Sequence, residues 1–407
     1  MEHDLVVQGV RLRRHPDGVV NVGVREGRIA AISPEPLQGR KELEGDGNLL
    51  TGSFVDAHLH LCKVYTLPMI GDQAVRRYTA GGKGEAMMAI ELASSLKEKY
   101  QESWIYENAR RAILDGLKHG VTHVQAFADT DTRARLEAVK ALLRLRDELR
   151  GIVDVRVVAF PQDGLLRDPG AEDYVREAVE LGADVVGGIP WTEHTDSEAQ
   201  EHVERMLGLA KTYDRDVAML VDDAGDPGLR TTQMLAEAAI RIGWLGRITA
   251  CHARAMAVYP EPYFRRLIAL VQRAGMRFVT NPHTGSHHLR VKELVEAGIP
   301  VALGQDDIVD AYYPYGQHNL IEVAFLASHI LGTPTFAQMD MLFDMITDLP
   351  AQMLGLRDYG VAVGRVAHLV VLQGDTVHEA LRVHRPPRYV ISHGRLVAET
   401  VEDSRYY

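Results

Sequence analysis

The chain has 407 residues, 46% of them hydrophobic and 25% charged, with a formal net charge of −11. That length suits one large domain with a small appendage, and the acidic balance argues against nucleic acid or an anionic membrane as a partner. Two cysteines, Cys62 and Cys251, cannot build a disulfide framework; with no basic, apolar leader and no apolar run of bilayer length, the expectation is a cytoplasmic protein.

Residues 1–50 read as short strands. Leu5 to Val10 alternates, His15-Pro16-Asp17-Gly18 is turn chemistry, and Val20–Val24 and Arg28–Ile32 alternate again. After Thr51-Gly52-Ser53 the texture changes. Apolar, strand-like runs recur at Phe54–His58, Val121–Ala128, Val153–Phe160, Asp184–Ile189, Val217–Val221, Arg247–Cys251, Arg277–Thr280 and Ile299–Leu303. Amphipathic stretches lie between most of them: Glu107–Leu117, Arg133–Leu149, Ala171–Leu181, Ala199–Tyr213, Thr231–Ile242 and Tyr263–Ala274. Buried strands alternating with helices predict an α/β fold, a parallel (β/α)8 TIM barrel spanning 51–359. The strand-rich texture returns at Ala367–Leu372, Pro387–Ser392 and Gly394–Ala398, so 1–50 and 360–407 are expected to join as a small β-sandwich.

The first barrel strand carries Val55-Asp56-Ala57-His58-Leu59-His60. Alternation along a strand points His58 and His60 to one face, a ready pair of metal ligands. A chance His-x-His on an ordinary strand is the bland alternative. The companions favour the metal: His252 and Asp306 each close a later apolar run, ending the sixth and eighth strands. All four therefore face the mouth where barrel active sites lie, and the set suits a hydrolytic metal centre.

The order of these motifs resembles the amidohydrolase superfamily, and within it the cytosine deaminase and N-isopropylammelide aminohydrolase group. The resemblance runs nearly end to end, through Val158–Gly164, Gly182–Pro190, Thr249–Met256, Asn281-Pro282, Gln305–Asp310, Tyr313–Gly316 and Tyr359–Gly364. It implies one divalent metal, zinc, iron or manganese, because no lysine ends the fourth strand to bridge a second. It implies that His58, His60 and Asp306 are ligands, that His252 orients water, that Gln162 binds a ring carbonyl and amide, and that Asp307 is a pocket carboxylate.

The departure is on the fifth strand. The group reads His-x-Asp-Glu there, a metal ligand and a proton-shuttling glutamate; this chain reads Leu220-Val221-Asp222-Asp223. Asp223 takes the shuttle position, and Leu220 cannot bind metal. Three alternatives stay open: His58, His60 and Asp306 suffice, His252 turns from orienting water to binding, or Asp222 reaches in from the face of Leu220. Trp191, Glu193 and His194 after strand four, His283 after strand seven, and Tyr312 and Tyr313 after strand eight are expected around a flat ring. The segment after strand seven is short, which predicts an open pocket. The expected reaction is hydrolytic removal of an amino or alkylamino group from a small nitrogen heterocycle, or opening of a cyclic amide. The alternative is a silent or metal-free homologue. The resemblance also implies a homo-oligomer.

Overall fold

The computed structural model describes residues 2–15, 18–80, 82–401 and 405. The turn expected at His15–Gly18 depends on Pro16 and Asp17, which lie outside the described residues. Among the described residues, no helix is long and apolar enough to cross a membrane.

Eight strands form the barrel sheet: β1 (Phe54–Leu59), β2 (Val121–Asp129), β3 (Asp154–Phe160), β4 (Val185–Gly188), β5 (Asp216–Val221), β6 (Ile248–His252), β7 (Arg277–Thr280) and β8 (Val301–Leu303). Each pairs in parallel with the next. Every residue of β1 and β2 is buried, as expected of strands covered on one face by helices and on the other by the barrel interior. The last gap closes through a bridge between Leu59 and Asp306: the Asp306 N–H donates to the His58 carbonyl at 2.8 Å, and the His60 N–H to the Asp306 carbonyl at 2.7 Å. Barrel closure itself thus sets Asp306 beside His58 and His60. Gly304 permits the approach, since a Cβ there would lie 2.8 Å from the His58 Cβ.

The six expected helices form in the predicted order, and further helices without a sequence expectation follow at Leu320–Ile330, Phe336–Asp344, Asp348–Met353 and Val377–Val383. The helix expected from Arg133 starts at Glu137, because the Thr132 N–H and hydroxyl are both taken by the Asp168 carboxylate. Between β1 and the helix Glu102–Lys118 the chain also forms Leu67–Ile70, Gln73–Ala80 and Lys83–Ser94, a helical insertion without a sequence expectation. It covers the mouth.

Both termini build a second eight-stranded sheet, the expected small β-sandwich. Leu49–Gly52 is its junction, running parallel to His3–Leu12 and antiparallel to Leu369–Val371. Its core is β-branched and leucine-rich, with Val7, Val10, Val22, Val24, Leu50, Leu369 and Ile391.

Candidate active site

His58, His60, His252 and Asp306 meet at the C-terminal mouth, all buried, with potential ligand atoms within 4.8 Å of one another. A single atom, Asp306 Oδ1, lies 3.2 Å from His58 Nε2 and 3.8 Å from both His60 Nε2 and His252 Nε2. The other oxygen, Oδ2, accepts a hydrogen bond from the Thr284 hydroxyl at 2.7 Å, which fixes the carboxylate. Both ring nitrogens of His58 are buried without a hydrogen-bond partner. Burying such groups unpaired costs on the order of 1–3 kcal/mol each.

Burial alone would raise Asp306, but His252, His58 and His60 hold it well below the usual carboxylate range. Burial pushes His60 and His252 well below the ordinary imidazole value, so both are neutral, the ligand form. His58 is the exception: burial opposes its charge, yet Cys251 and Asp306 raise it to about 10.

Leu220 lies on the wall of the same cavity and donates nothing. Asp222, offered by strand alternation as its replacement, does not reach in. Its φ of 48° breaks the alternation, and its carboxylate turns to the start of the helix Thr231–Ile242. There it accepts from the Thr231 N–H (2.6 Å), the Thr231 hydroxyl (2.7 Å), the Thr232 N–H (3.0 Å) and the Tyr259 hydroxyl (2.7 Å). An anion at a helix N-terminus is well placed for the fold and unavailable to a metal. His252 and Asp306 also adopt positive φ, 68° and 69°. Such backbone is uncommon for non-glycine residues and gathers at functional sites.

Asp223 does line the cavity, and its carboxylate accepts from Arg254 Nε at 2.5 Å while standing 3.9 Å from His252 Nδ1. Burial pushes Asp223 up to about 6, against the pull of Arg254. Sequence reasoning missed Arg254, which is 5% exposed and donates also to the Thr284 hydroxyl (2.8 Å) and the Tyr78 hydroxyl (3.1 Å). It missed Lys63 as well, whose ammonium donates to Gln162 Oε1 and sits 3.4 Å from Asp129. Lys63 lies three residues beyond His60 in the same strand-end motif, a signal that was there to read.

Gln162, Trp191, Asp307 and Tyr312 all line the cavity. Gln162 donates to the Tyr312 hydroxyl at 3.0 Å. Burial, Asp306 and Asp310 hold Asp307 well above the usual carboxylate range, and one of its oxygens has no partner. Four expected neighbours stand elsewhere, among them Tyr313, which packs between His283 and Tyr315 rather than on the cavity wall. His283 is off the cavity wall: its Nε2 is 3.0 Å from the Gln305 carbonyl, and its ring packs on Tyr313. Glu193 is a scaffold group, accepting from the N–H of Leu165 (2.6 Å), Leu166 (3.1 Å) and Arg167 (3.0 Å) and pairing with His202 at 2.7 Å. His194 is exposed. The cavity is not open either. Tyr78 and Ile90, from the helical insertion, close it to about 20 Å³, the space of a single water.

Residues 70–398 match the sequence profile of the amidohydrolase family. The N-isopropylammelide isopropyl amidohydrolase of Pseudomonas sp. (strain ADP) is 29% identical over 406 residues, covering 98% of each chain. A pterin deaminase of Rhizobium rhizogenes is 26% identical over 95% of this chain and 89% of its own. Among solved structures, the 5-methylcytosine deaminase from Klebsiella pneumoniae liganded with phosphonocytosine superposes with a TM-score of 0.90, at 29% identity, over 99% of this chain and all of that one.

Proposed function

The chain belongs to the amidohydrolase family, and from that premise we propose that it removes an amino or alkylamino group from a small nitrogen heterocycle by hydrolysis, with one divalent metal held by His58, His60, His252 and Asp306. The observation that carries the reading is the equal approach of His60 and His252, each 3.8 Å from the oxygen that also faces His58. His252 stands where a fourth donor belongs, so the set is complete without a strand-five histidine. Three imidazoles and a carboxylate are zinc or iron chemistry, and the unpartnered His58 nitrogens fit a cation. Such an ion supplies Lewis acidity, making water nucleophilic near neutral pH.

The residues around it divide the remaining work. Thr284 fixes Asp306 through one oxygen and keeps the other, Oδ1, turned toward the three histidines, where it would hold the metal and steer the water beside it. Asp223, on the cavity wall beside His252, carries a proton to the ring or the leaving group, with Arg254 holding its orientation. Lys63, Gln162, Tyr312 and Asp307 supply donors and acceptors for the polar edge of a heterocycle. Trp191, Ile189, Ile90 and Leu220 wall its faces. A 20 Å³ cavity is far smaller than the roughly 300 Å³ of a small-ligand pocket. Entry therefore requires Tyr78 and Ile90 to swing out with their helices. The names of the relatives, an ammelide hydrolase, a pterin deaminase and a 5-methylcytosine deaminase, support a flat, nitrogen-rich ring with an exocyclic C–N bond.

Leu220 favours one other reading, a homologue that binds such a ring without turning it over. A screen of aminopyrimidines, aminopteridines and alkylaminotriazines on zinc- or iron-loaded protein, scored by ammonia or amine release, separates the two. Release that disappears in His58→Ala supports the hydrolase; ring binding without release by metal-loaded protein overturns it.

A further inference from the structure

At the opposite end of the barrel, a second group of ligand-type side chains comes together. His123 enters from the start of β2, Asp154 from the start of β3, His368 from the segment leading into the strand Leu369–Val371, and His393 from the turn between the last two strands of the sandwich. Potential ligand atoms of His123, Asp154 and His368 lie within 4.8 Å of one another. His123 Nε2 is 3.3 Å and His393 Nε2 is 3.1 Å from Asp154 Oδ2. The His368 ring is wedged between the other two, with centroids 4.6 Å from His123 and 4.4 Å from His393.

Three features separate this from a surface ion pair. First, the Asp154 carboxylate pairs with two imidazoles from widely separated segments, His123 and His393, and a third ring, His368, is wedged between them. Second, the outer groups orient the rings as they do in metal sites: the Thr122 hydroxyl is 2.9 Å from His123 Nδ1 and is itself bonded to Ser53, and the Ser392 hydroxyl is 3.3 Å from His368 Nδ1. Third, His393 takes a left-handed φ of 47°, uncommon for a residue with a side chain. His123 and His368 are buried, while Asp154 and His393 keep side-chain exposures of 43% and 35%, which leaves solvent access for an ion.

We propose that His123, Asp154, His368 and His393 form a second divalent-metal site, of the closed structural zinc type, that fastens the terminal sandwich to the barrel floor. Its donors come from both lobes, and the Ser53 N–H donates to the His368 carbonyl at 3.0 Å on the same seam. The floor of a barrel is where stability rather than chemistry is expected. An ion held there by four donors would bind the folded chain and not the unfolded one, raising stability by linkage.

The test uses full-length protein with the mouth site removed by His58→Ala/His60→Ala, so the two sites are counted apart. After exposure to Zn²⁺ or Co²⁺ and extensive dialysis, this variant is expected to keep about one equivalent of metal, with the visible bands of tetrahedral cobalt. Added Zn²⁺ should raise its Tm. Adding Asp154→Asn and His393→Ala, two partly exposed positions that the barrel core does not need, should remove the metal, the cobalt bands and the Tm shift together. Failure of the mouth variant to hold metal overturns the proposal. So does metal retained after Asp154→Asn/His393→Ala, or a cobalt spectrum unchanged by that pair.

Discussion

The mouth and the floor of the barrel carry nearly the same donors, three imidazoles and one aspartate, in different surroundings. At the mouth all four side chains are sealed, Asp306 is anchored by Thr284, and a cavity lined by Asp223, Gln162 and Asp307 adjoins. At the floor, Asp154 and His393 are partly exposed, and the surrounding hydroxyls of Thr122 and Ser392 only orient rings. The donor set alone therefore does not make a catalyst. What distinguishes the mouth is adjacent space for a ring and carboxylates able to move a proton.

The largest effect expected from breaking that distinction is at Asp306. Asp306→Ala should lower kcat by at least about 10³-fold, because the Lewis acid is lost with its ligand. The far-ultraviolet circular dichroism should remain that of the folded barrel. Near-normal turnover in the variant would sink the mechanism. Next come two adjacent aspartates that a sequence cannot tell apart. Asp223→Asn should cost roughly 10²-fold in kcat, the usual worth of a proton carrier, and also lower Tm, because the buried Arg254 loses its carboxylate partner. Asp222→Asn should leave kcat and metal content nearly unchanged while losing about 1–3 kcal/mol of stability by weakening its bonds to the helix start. Urea titration beside steady-state kinetics would expose a swap of these roles.

A smaller effect is expected at Glu193, which stands after β4 but serves the scaffold. Burial raises this carboxyl, while His202 and the backbone N–H groups of Leu165 and Leu166 more than offset it and leave it lowered. A carboxyl lowered in the folded state contributes stability above its unfolded value of about 4.3, and loses it as pH falls through the folded value. Glu193→Gln should thus destabilise most at pH 7 and progressively less below pH 4. A penalty independent of pH would contradict the assignment. Smallest is the partly exposed floor: without added metal, Asp154→Asn should lower Tm by only a few degrees, since exposed pairs contribute about 1 kcal/mol or less.

The barrel was legible because its strands are apolar runs of the right length separated by amphipathic helices, and the mouth because strand ends carry His58, His60, His252 and Asp306. Alternation stops being a guide where the strand stops being a strand. Asp222 counts to the face of Leu220 on paper, but its positive φ sends the carboxylate to Thr231 and Thr232. Arg254 and Tyr78 are far apart in sequence and meet only across the mouth, so their 3.1 Å hydrogen bond has no local signature. The closed cavity was hidden for the same reason. The short segment after strand seven suggested an opening, and the helices Gln73–Ala80 and Lys83–Ser94 fill it from the other side of the mouth. The floor cluster joins residues from β2 to the last turn of the chain, a convergence created only when the sandwich docks on the barrel.

The most direct test of the central claim is the metal content of His252→Ala beside the wild type, by plasma mass spectrometry after equal zinc loading. A mouth completed by His252 predicts the loss of about one equivalent together with turnover. Full metal content with turnover lost would contradict it, leaving His252 to orient water and the mouth with a three-residue ligand set.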